Sequence, residues 1–391
     1  MMLFRPVAAS FLAAGLLIAA LPANAFETRA RAAIVIDHNT GRVLLEKDAH
    51  TPLPPASMSK LMTLNMLFEA LRDGRVTEDT RFLTSGEASR KGGSKMFLRE
   101  GERVRVGDLI PGLIVLSGND ASIVVADGLA GDEATFARMM TERARALGMN
   151  DSVFTNASGW PDPRHRMSMA DLAFIARRLI DEFPDYYPQF ALETFTWAGI
   201  EQRNRNPLLG RVAGADGLKT GHTSEAGYGL VGSAVEGDRR IVFAITGLPD
   251  EASRLDETTR ITNWALRQFA MRKLLDEGQQ VGEAEVWMGA AQSVPLVVGD
   301  ELVTLVPAIV QEGLTATLDF ANPVQAPIQA GQVLGQLRID IPELEAIEVP
   351  VLAGADVEAG GFSVRVQTAA DVLRVRFLGG GGAGGAGTPP Q

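Results

Sequence analysis

The sequence PASMSKLMTLNMLFEALRDG, residues 55–74, is the stretch from which the rest of the chain can be interpreted. Leucine and phenylalanine recur along it at helical spacing and Gly74 ends the run, so we predict a helix with one buried face. Ser57 and Lys60 stand at its start, three residues apart, and therefore share a face. A hydroxyl beside an amine is a candidate nucleophile with its base.

Lys60 can act as a base only in its neutral form. Its neighbours Met58 and Leu61 would desolvate it, and a second cation nearby would lower its pKa further. We expect Lys219 to be that cation. A Ser-x-x-Lys string occurs about once or twice by chance in a chain of this length. Alone it describes a capped helix with a surface lysine, so the assignment depends on two later strings.

The first of these strings is SGN, residues 117–119, which follows an apolar run and precedes a predicted helix. Ser117 can relay a proton between Lys60 and a leaving group. Asn119 offers a donor and an acceptor to a substrate amide. The alternative is a simple helix cap, since Ser and Asn are both favoured at that position.

The second string is KTG, residues 219–221, which is typical of a strand at the edge of a cleft. Lys219 and Thr220 can bind a substrate carboxylate, and Gly221 allows the backbone to approach a neighbour closely. The backbone N–H of the next residue, His222, can form an oxyanion hole with that of the serine nucleophile. The alternative is a strand edge with an ordinary surface lysine.

Composition limits the class of protein. The chain has 391 residues, which favours two or three domains, and a net charge of −11, which argues against nucleic acid as a partner. It has no cysteine, which excludes disulfides, thiolate catalysis and thiolate metal sites. Its four histidines show no metal-ligand spacing, so we expect no metal site.

The first 25 residues have the pattern of a secretory signal peptide. Arg5 provides the positive charge, residues 7–21 are apolar, and ANA at 23–25 is a small-x-small cleavage site. We therefore predict export to the periplasm with cleavage after Ala25, which would change the net charge from −11 to −12. The alternative, an uncleaved anchor, has an apolar run that is short for a membrane span.

Periodicity indicates an α+β domain over residues 26–284. We predict a hairpin near the start, several helices, and antiparallel strands after the KTG string; Lys219 would open the first of these strands. The predicted elements are a hairpin at 32–45, helices at 57–74, 120 onward, 132–148, 170–179 and 258–275, and strands at 228–234 and 240–246.

The residue pattern of the sequence changes at about residue 285. Short β-rich runs separated by turns indicate a small all-β sandwich over 285–355. The tail at 379–391 is rich in glycine and is expected to be disordered.

The three strings, in this order, resemble the motif set of the penicillin-binding proteins and serine β-lactamases. Further segments make the chain most similar to the D-alanyl-D-alanine carboxypeptidases, which are low-molecular-mass penicillin-binding proteins. The resemblance covers nearly the whole mature chain. The segments are PASMSK at 55–60, SGNDAS at 117–122, FTN at 154–156, GWPD at 159–162 and GLKTGHT at 217–223.

The resemblance implies a transpeptidase-like antiparallel sheet flanked by helices. It also implies that Ser57 is the acylated nucleophile, Lys60 its base and Ser117 the relay, while Asn119 and residues 219–221 bind substrate. The implied reaction removes the last D-alanine from a peptidoglycan pentapeptide stem and needs no cofactor. β-Lactams would acylate the same serine because they mimic the D-Ala-D-Ala end.

Members of this family usually carry a C-terminal amphipathic helix that holds them on the inner membrane. The matching stretch here lies within residues 356–378, where Arg365 and Arg376 flank an apolar face that suits an anionic lipid surface. Its valines, however, favour a strand. We therefore predict a weak peripheral membrane anchor.

Three other functions stay open at this point. A class A-like β-lactamase needs a glutamate-centred deacylation loop, and no clear Glu-x-x-x-Asn occurs in the right interval. A D-alanyl-D-alanine endopeptidase would use the same chemistry on cross-links. A non-catalytic wall-binding protein would have no need of Ser57, Lys60, Ser117 and Lys219.

Overall fold

The computed structural model describes residues 26–308, 313–342, 344–362 and 366. The predicted signal peptide, the glycine-rich tail and most of the predicted anchor segment lie outside the described residues. Within the described part of the chain, no helix has both the length and the apolar character needed to span a membrane.

The N-terminal unit is built on one five-stranded antiparallel sheet with the strand order β2-β1-β9-β8-β7. The predicted hairpin forms its first two strands, and β7 lies at the opposite edge. The strands of the unit are β1 (Ala32–Asp37), β2 (Val43–Lys47), β3 (Arg81–Leu83), β4 (Arg103–Arg105), β5 (Thr194–Trp197), β6 (Ile200–Arg203), β7 (Ala215–Thr223), β8 (Gly227–Glu236) and β9 (Arg239–Leu248).

Helices cover both faces of this sheet. The helices are α1 (Lys60–Arg72), α2 (Gly86–Arg90), α3 (Val106–Ile114), α4 (Asn119–Ala130), α5 (Glu133–Ala146), α6 (Met169–Glu182) and α7 (Glu251–Arg267), and a 3-10 turn, Ala56–Ser59, precedes α1. Ile34 faces the core that contains α1 and α6, whereas its neighbour Val35 faces the core that contains α7. This alternation follows from the two-residue period of a strand and explains why β1 is buried throughout.

The predicted helix over residues 258–275 is wrong at both ends. Helix α7 begins at Glu251, because the Asp250 side chain accepts a hydrogen bond from the Ser253 N–H, and it ends at Arg267. Residues 269–275 form a strand instead. Apolar periodicity could not separate the two, because the strand's pairing partner lies more than 25 residues further along the chain.

The C-terminal unit is all-β, as predicted. The eight strands among its described residues form a six-stranded sheet, β14-β16-β17-β12-β11-β15, and a two-stranded sheet, β10-β13, which contribute to one core. They are β10 (Phe269–Leu275), β11 (Gln280–Trp287), β12 (Ser293–Val298), β13 (Leu302–Pro307), β14 (Thr315–Phe320), β15 (Val324–Gln325), β16 (Val333–Asp340) and β17 (Ile347–Ala353). Because β10 and β11 pair inside this unit, it begins near residue 269, and the boundary predicted at 284/285 is about 16 residues late.

Candidate active site

A polar cleft lies between the start of α1 and the edge strand β7. It has a volume of about 230 Å³. Ser57 and Ser117 contribute to its lining, and residues 220–222 form the wall on the side of the sheet. Gly221 faces the 3-10 turn, where an added Cβ would lie 2.8 Å from the Pro55 carbonyl oxygen. There is thus no room for a side chain where the strand meets the turn that carries Ser57.

Lys60 lies at the floor of the cleft and is fully buried. Its Nζ is 3.0 Å from Ser57 Oγ, 2.8 Å from Asn119 Oδ1 and 2.6 Å from the carbonyl oxygen of Ser158. A neutral amine has two N–H donors and one lone pair. Two of the three oxygens can only accept, so in the neutral form both N–H groups donate to them and the lone pair is left for the Ser57 hydroxyl, whereas an ammonium would donate to all three.

Electrostatics favour the same neutral form. Burial lowers the pKa of Lys60 well below its ordinary value, and the nearby charges of Lys219 and Arg205 lower it further. Asp120 and Glu133 act in the opposite direction and raise it. The cation that we expected from the sequence is therefore present, and a second one accompanies it.

Lys219 lies in the middle of β7 opposite Val231, rather than at the opening of the strand. It is almost completely buried, and its Nζ donates to the Thr220 carbonyl at 3.2 Å. Burial, together with Arg205 and Arg254, lowers its pKa to about 7. An anion bound beside Lys219 would favour its charged form.

Ser117 has a backbone conformation that is rare for a residue with a side chain. Its φ is +56°, a left-handed value that costs on the order of 1–3 kcal/mol. Its hydroxyl is buried and has no hydrogen-bond partner among the described residues. The structure therefore brings Ser117 into the cleft but does not bond it to Lys60, so a relay would have to form through a bound substrate.

Asn119 is the first residue of α4, and its side chain does not cap the helix, so the simple capping alternative is wrong. Its Oδ1 accepts from Lys60, and its Nδ2 donates to the Gly92 carbonyl at 2.8 Å. One N–H of the amide is left for a substrate. Asn119 therefore orients the lysine, a role that the sequence did not indicate.

The remaining predicted residues, Thr220 and His222, lie on β7 at the cleft wall. Thr220 is buried, whereas the imidazole of His222 is exposed and stacks on the ring of Tyr228 with a centroid distance of 3.8 Å. Within the described part of the chain, no group of three or more His, Asp or Glu side chains could hold a metal ion.

Two arginines in the cleft were missed by sequence reasoning. Arg205, which follows β6, bonds to the hydroxyl of Ser94 on the facing loop. Arg254, on the first turns of α7, is almost fully buried and stacks over Tyr228 at 5.5 Å. With Lys219 they place three basic side chains against one acidic one, Glu251, at this end of the cleft, and the excess of basic groups suits a carboxylate. No local pattern marks either arginine, because only the folded chain brings them to the KTG strand.

A serine hydroxyl within hydrogen-bond distance of a buried lysine, with further basic side chains nearby, is the arrangement expected in the active site of a serine hydrolase. The sequence comparisons agree. Residues 19–249 match the family described as D-alanyl-D-alanine carboxypeptidase (Peptidase_S11), and residues 269–359 match the penicillin-binding protein 5 C-terminal domain. The chain therefore belongs to the D-alanyl-D-alanine carboxypeptidase family.

Individual relatives cover most of the chain. D-alanyl-D-alanine carboxypeptidase DacD of Escherichia coli (strain K12) is 34% identical over 87% of this chain and 90% of its own length. The crystal structure of DacD from Francisella tularensis superposes with a TM-score of 0.77 at 27% identity, covering 86% of this chain and 95% of that one. Penicillin-binding protein D2 of Listeria monocytogenes, in its ampicillin-bound form, gives 0.57 at 29% identity and covers 62% and 98%.

Proposed function

We propose that this protein is a serine-type D-alanyl-D-alanine carboxypeptidase that removes the terminal D-alanine from peptidoglycan pentapeptide stems through an acyl-enzyme on Ser57. The observation that carries the proposal is the bonding of Lys60. Its nitrogen is held by two acceptors and lies 3.0 Å from the serine hydroxyl. That arrangement suits proton removal from serine and leaves few other roles for a fully buried lysine.

Acylation begins with attack of Ser57 Oγ on the carbonyl carbon between the two D-alanines, while the hydroxyl proton moves to the lone pair of Lys60. The C–N bond then breaks. The leaving amine takes its proton from Lys60 by way of the Ser117 hydroxyl, which no other group in the described chain engages. The backbone N–H groups of Ser57 and His222 are the proposed donors to the oxyanion.

The free carboxylate of the terminal D-alanine is the group that fits the cationic end of the cleft. Thr220 and Arg254 line it, and Lys219 is the neighbour of Thr220 on β7. Binding this carboxylate would keep Lys219 protonated.

Deacylation requires one water molecule. Its oxygen attacks the ester carbonyl and its proton goes to Lys60, after which Ser57 regains a proton and the shortened stem leaves.

A β-lactam would acylate Ser57 by opening its ring, and the ampicillin-bound relative supports β-lactams as covalent inhibitors here. Rapid antibiotic turnover would instead favour the β-lactamase alternative. Release of peptide from cross-linked stems would favour the endopeptidase.

We test the proposal by incubating the protein with a stem pentapeptide and measuring free D-alanine. Wild type should release it and Ser57→Ala should not. Mass spectrometry after mixing with penicillin should locate the adduct on Ser57. The absence of free D-alanine would contradict the carboxypeptidase assignment, and an adduct on another residue would contradict the site. A Ser57→Ala protein that fully replaced wild type in cells would favour the non-catalytic alternative.

We further propose that residues 1–25 direct export to the periplasm and that residues 356–378 bind the outer face of the inner membrane peripherally. An acidic, cysteine-free chain with a wall substrate suits that compartment. Deletion of residues 356–391 should move the protein from the membrane fraction to the soluble fraction. Unchanged partitioning would reject the anchor.

A further inference from the structure

Asp120, the residue after the SGN string, is fully buried and accepts hydrogen bonds from the backbone of residues 96–98. Its Oδ1 accepts from the Met96 N–H at 2.8 Å, and its Oδ2 accepts from the Leu98 N–H at 3.0 Å. The Oδ1 also accepts from the Ala121 N–H at the start of α4. One carboxylate thus ties residues 96–98 to the beginning of that helix.

This attachment shapes the segment that it holds. The two N–H groups that converge on the carboxylate belong to the residues on either side of Phe97, which adopts a left-handed φ of +65° and is 60% exposed. Concave sets of backbone N–H groups of this kind bind anions. A left-handed, exposed aromatic residue is unfavourable on its own, so the hydrogen bonds to the carboxylate must hold the segment in this conformation.

The residues just before this segment contact the active site. The Ser94 carbonyl accepts from the Asn119 N–H at 2.8 Å, and the Ser94 hydroxyl bonds to Arg205 across the cleft. Two residues earlier, the Gly92 carbonyl accepts from the Asn119 side chain, which in turn binds Lys60. Asp120 is therefore connected through one segment both to the lysine and to the cationic end of the cleft.

We propose that Asp120 is a positioning residue for the acyl-transfer reaction: it holds residues 94–98 against α4 and so orients Asn119 toward Lys60. This inference rests on the proposed function. Asparagine cannot replace the carboxylate, because one of its two polar atoms is an NH2 group that would face the N–H of Met96 or Leu98 instead of accepting from it.

The negative charge of Asp120 gives a second, independent way to test its role, because it acts on the pKa of Lys60. The charged groups that act most strongly on Lys60 are Lys219 and Arg205, which favour its neutral form, and Asp120 and Glu133, which favour its protonated form; His165 also interacts with it. Removing the carboxylate of Asp120 would lower the pKa of Lys60. The acid limb of the acylation rate would then move to lower pH, which loss of folded protein cannot produce.

The test measures acylation of the full chain by a fluorescent penicillin in wild type, Asp120→Asn and Asp127→Asn. Asp127 is the matched control, because it lies two turns further along α4 and accepts from the Ser85 hydroxyl instead of the cleft segment. The active fraction is titrated first, so that the rate constant refers to active sites only. We expect a fall of about tenfold or more in Asp120→Asn with an acid limb at lower pH, and a change of less than about twofold in Asp127→Asn.

A rate constant per active site within about twofold of wild type in Asp120→Asn, with an unmoved acid limb, would overturn the inference. If Asp120→Asn does not fold, Asp120→Glu is used. It keeps the charge but displaces residues 96–98, so we expect slow acylation with an unmoved acid limb, and a wild-type rate would overturn the inference. If wild type is acylated by penicillin but releases no D-alanine from the pentapeptide, the carboxypeptidase function is contradicted, whereas the role of Asp120 in acylation is not.

Discussion

Lys60 and Lys219 are the residues on which the chemistry depends, and both are lysines kept from water. Burial disfavours the charged form of each, and each lies near another cation. Their roles differ because their partners differ. Lys60 faces two carbonyl acceptors and a hydroxyl, whereas Lys219 donates only to a neighbouring carbonyl and keeps donors for a ligand.

Substitution of Lys60 by arginine should abolish acylation. A guanidinium stays protonated under all ordinary conditions and cannot accept the proton of Ser57. We expect the second-order rate constant for penicillin to fall by about a thousandfold or more, since both general-base catalysis and lysine geometry are lost. The measurement is mass spectrometry of the acyl-enzyme over time. Lys273→Arg, at an exposed site in β10, is the control and should react as wild type does.

Lys219 should make stability depend on pH. Its pKa is about 7 in the folded protein and about 10.4 in an unfolded chain. Between these values the unfolded state binds more protons, so the free energy of unfolding rises with pH at up to about 1.4 kcal/mol per pH unit. Lys219→Met should lose this slope and be more stable than wild type at pH 7. Denaturant titrations of wild type and Lys219→Met at pH 7 and pH 9 measure the stability and its change with pH. The same change with pH in both proteins would contradict the prediction.

At the scale of elements, the site depends on the contact between strand β7 and the 3-10 turn Ala56–Ser59. Gly221 permits that contact, since even one methyl group would meet Pro55 and Met58. Gly159 does the same on the other side, where an added Cβ would lie 1.8 Å from the Ala56 carbonyl oxygen. The turn that presents Ser57 is therefore held between two glycines, Gly221 and Gly159, whose backbones approach it closely.

Gly221→Ala should separate β7 from the turn. A Cβ at 2.8 Å from Pro55 O and 3.0 Å from Met58 Cγ requires the strand to shift, and the distance from Ser57 to the carboxylate pocket shifts with it. We expect a fall of about tenfold to a hundredfold in acylation rate with a smaller loss of stability. Gly361→Ala, where nothing lies within 4 Å, is the control. Wild-type kinetics in Gly221→Ala would show that the contact is not needed.

At the scale of the whole molecule, Arg239 stabilises the point at which the chain passes from α7 into the C-terminal β unit. Its guanidinium donates to the carbonyls of Ala265, Leu266 and Phe269. It also donates to the carboxylate of Asp37, whose side chain is completely buried. One side chain thus satisfies the last carbonyls of the helix and a buried acid together.

Arg239→Ala should be strongly destabilising, because it leaves the Asp37 carboxylate buried and unpaired. Breaking a buried pair by removing one partner costs about 3–5 kcal/mol. We expect the double variant Arg239→Ala/Asp37→Asn to lose less than the sum of the single losses, since the unpaired charge is gone. Denaturant unfolding of the four proteins gives the coupling. Additive losses would contradict a direct interaction between the two side chains.

The sequence by itself determined the order of the motifs, the helical turn that joins Ser57 to Lys60, and the all-β character of the second unit. These follow from local spacing, since residues three apart on a helix share a face and short runs between turns form strands. Only the tertiary structure decided the end of α7 at Arg267, the bonding of Asn119 to Lys60, and the arrival of Arg205 and Arg254 at the cleft. Each of those depends on contacts between groups that are distant in sequence, and local residue spacing does not predict such contacts.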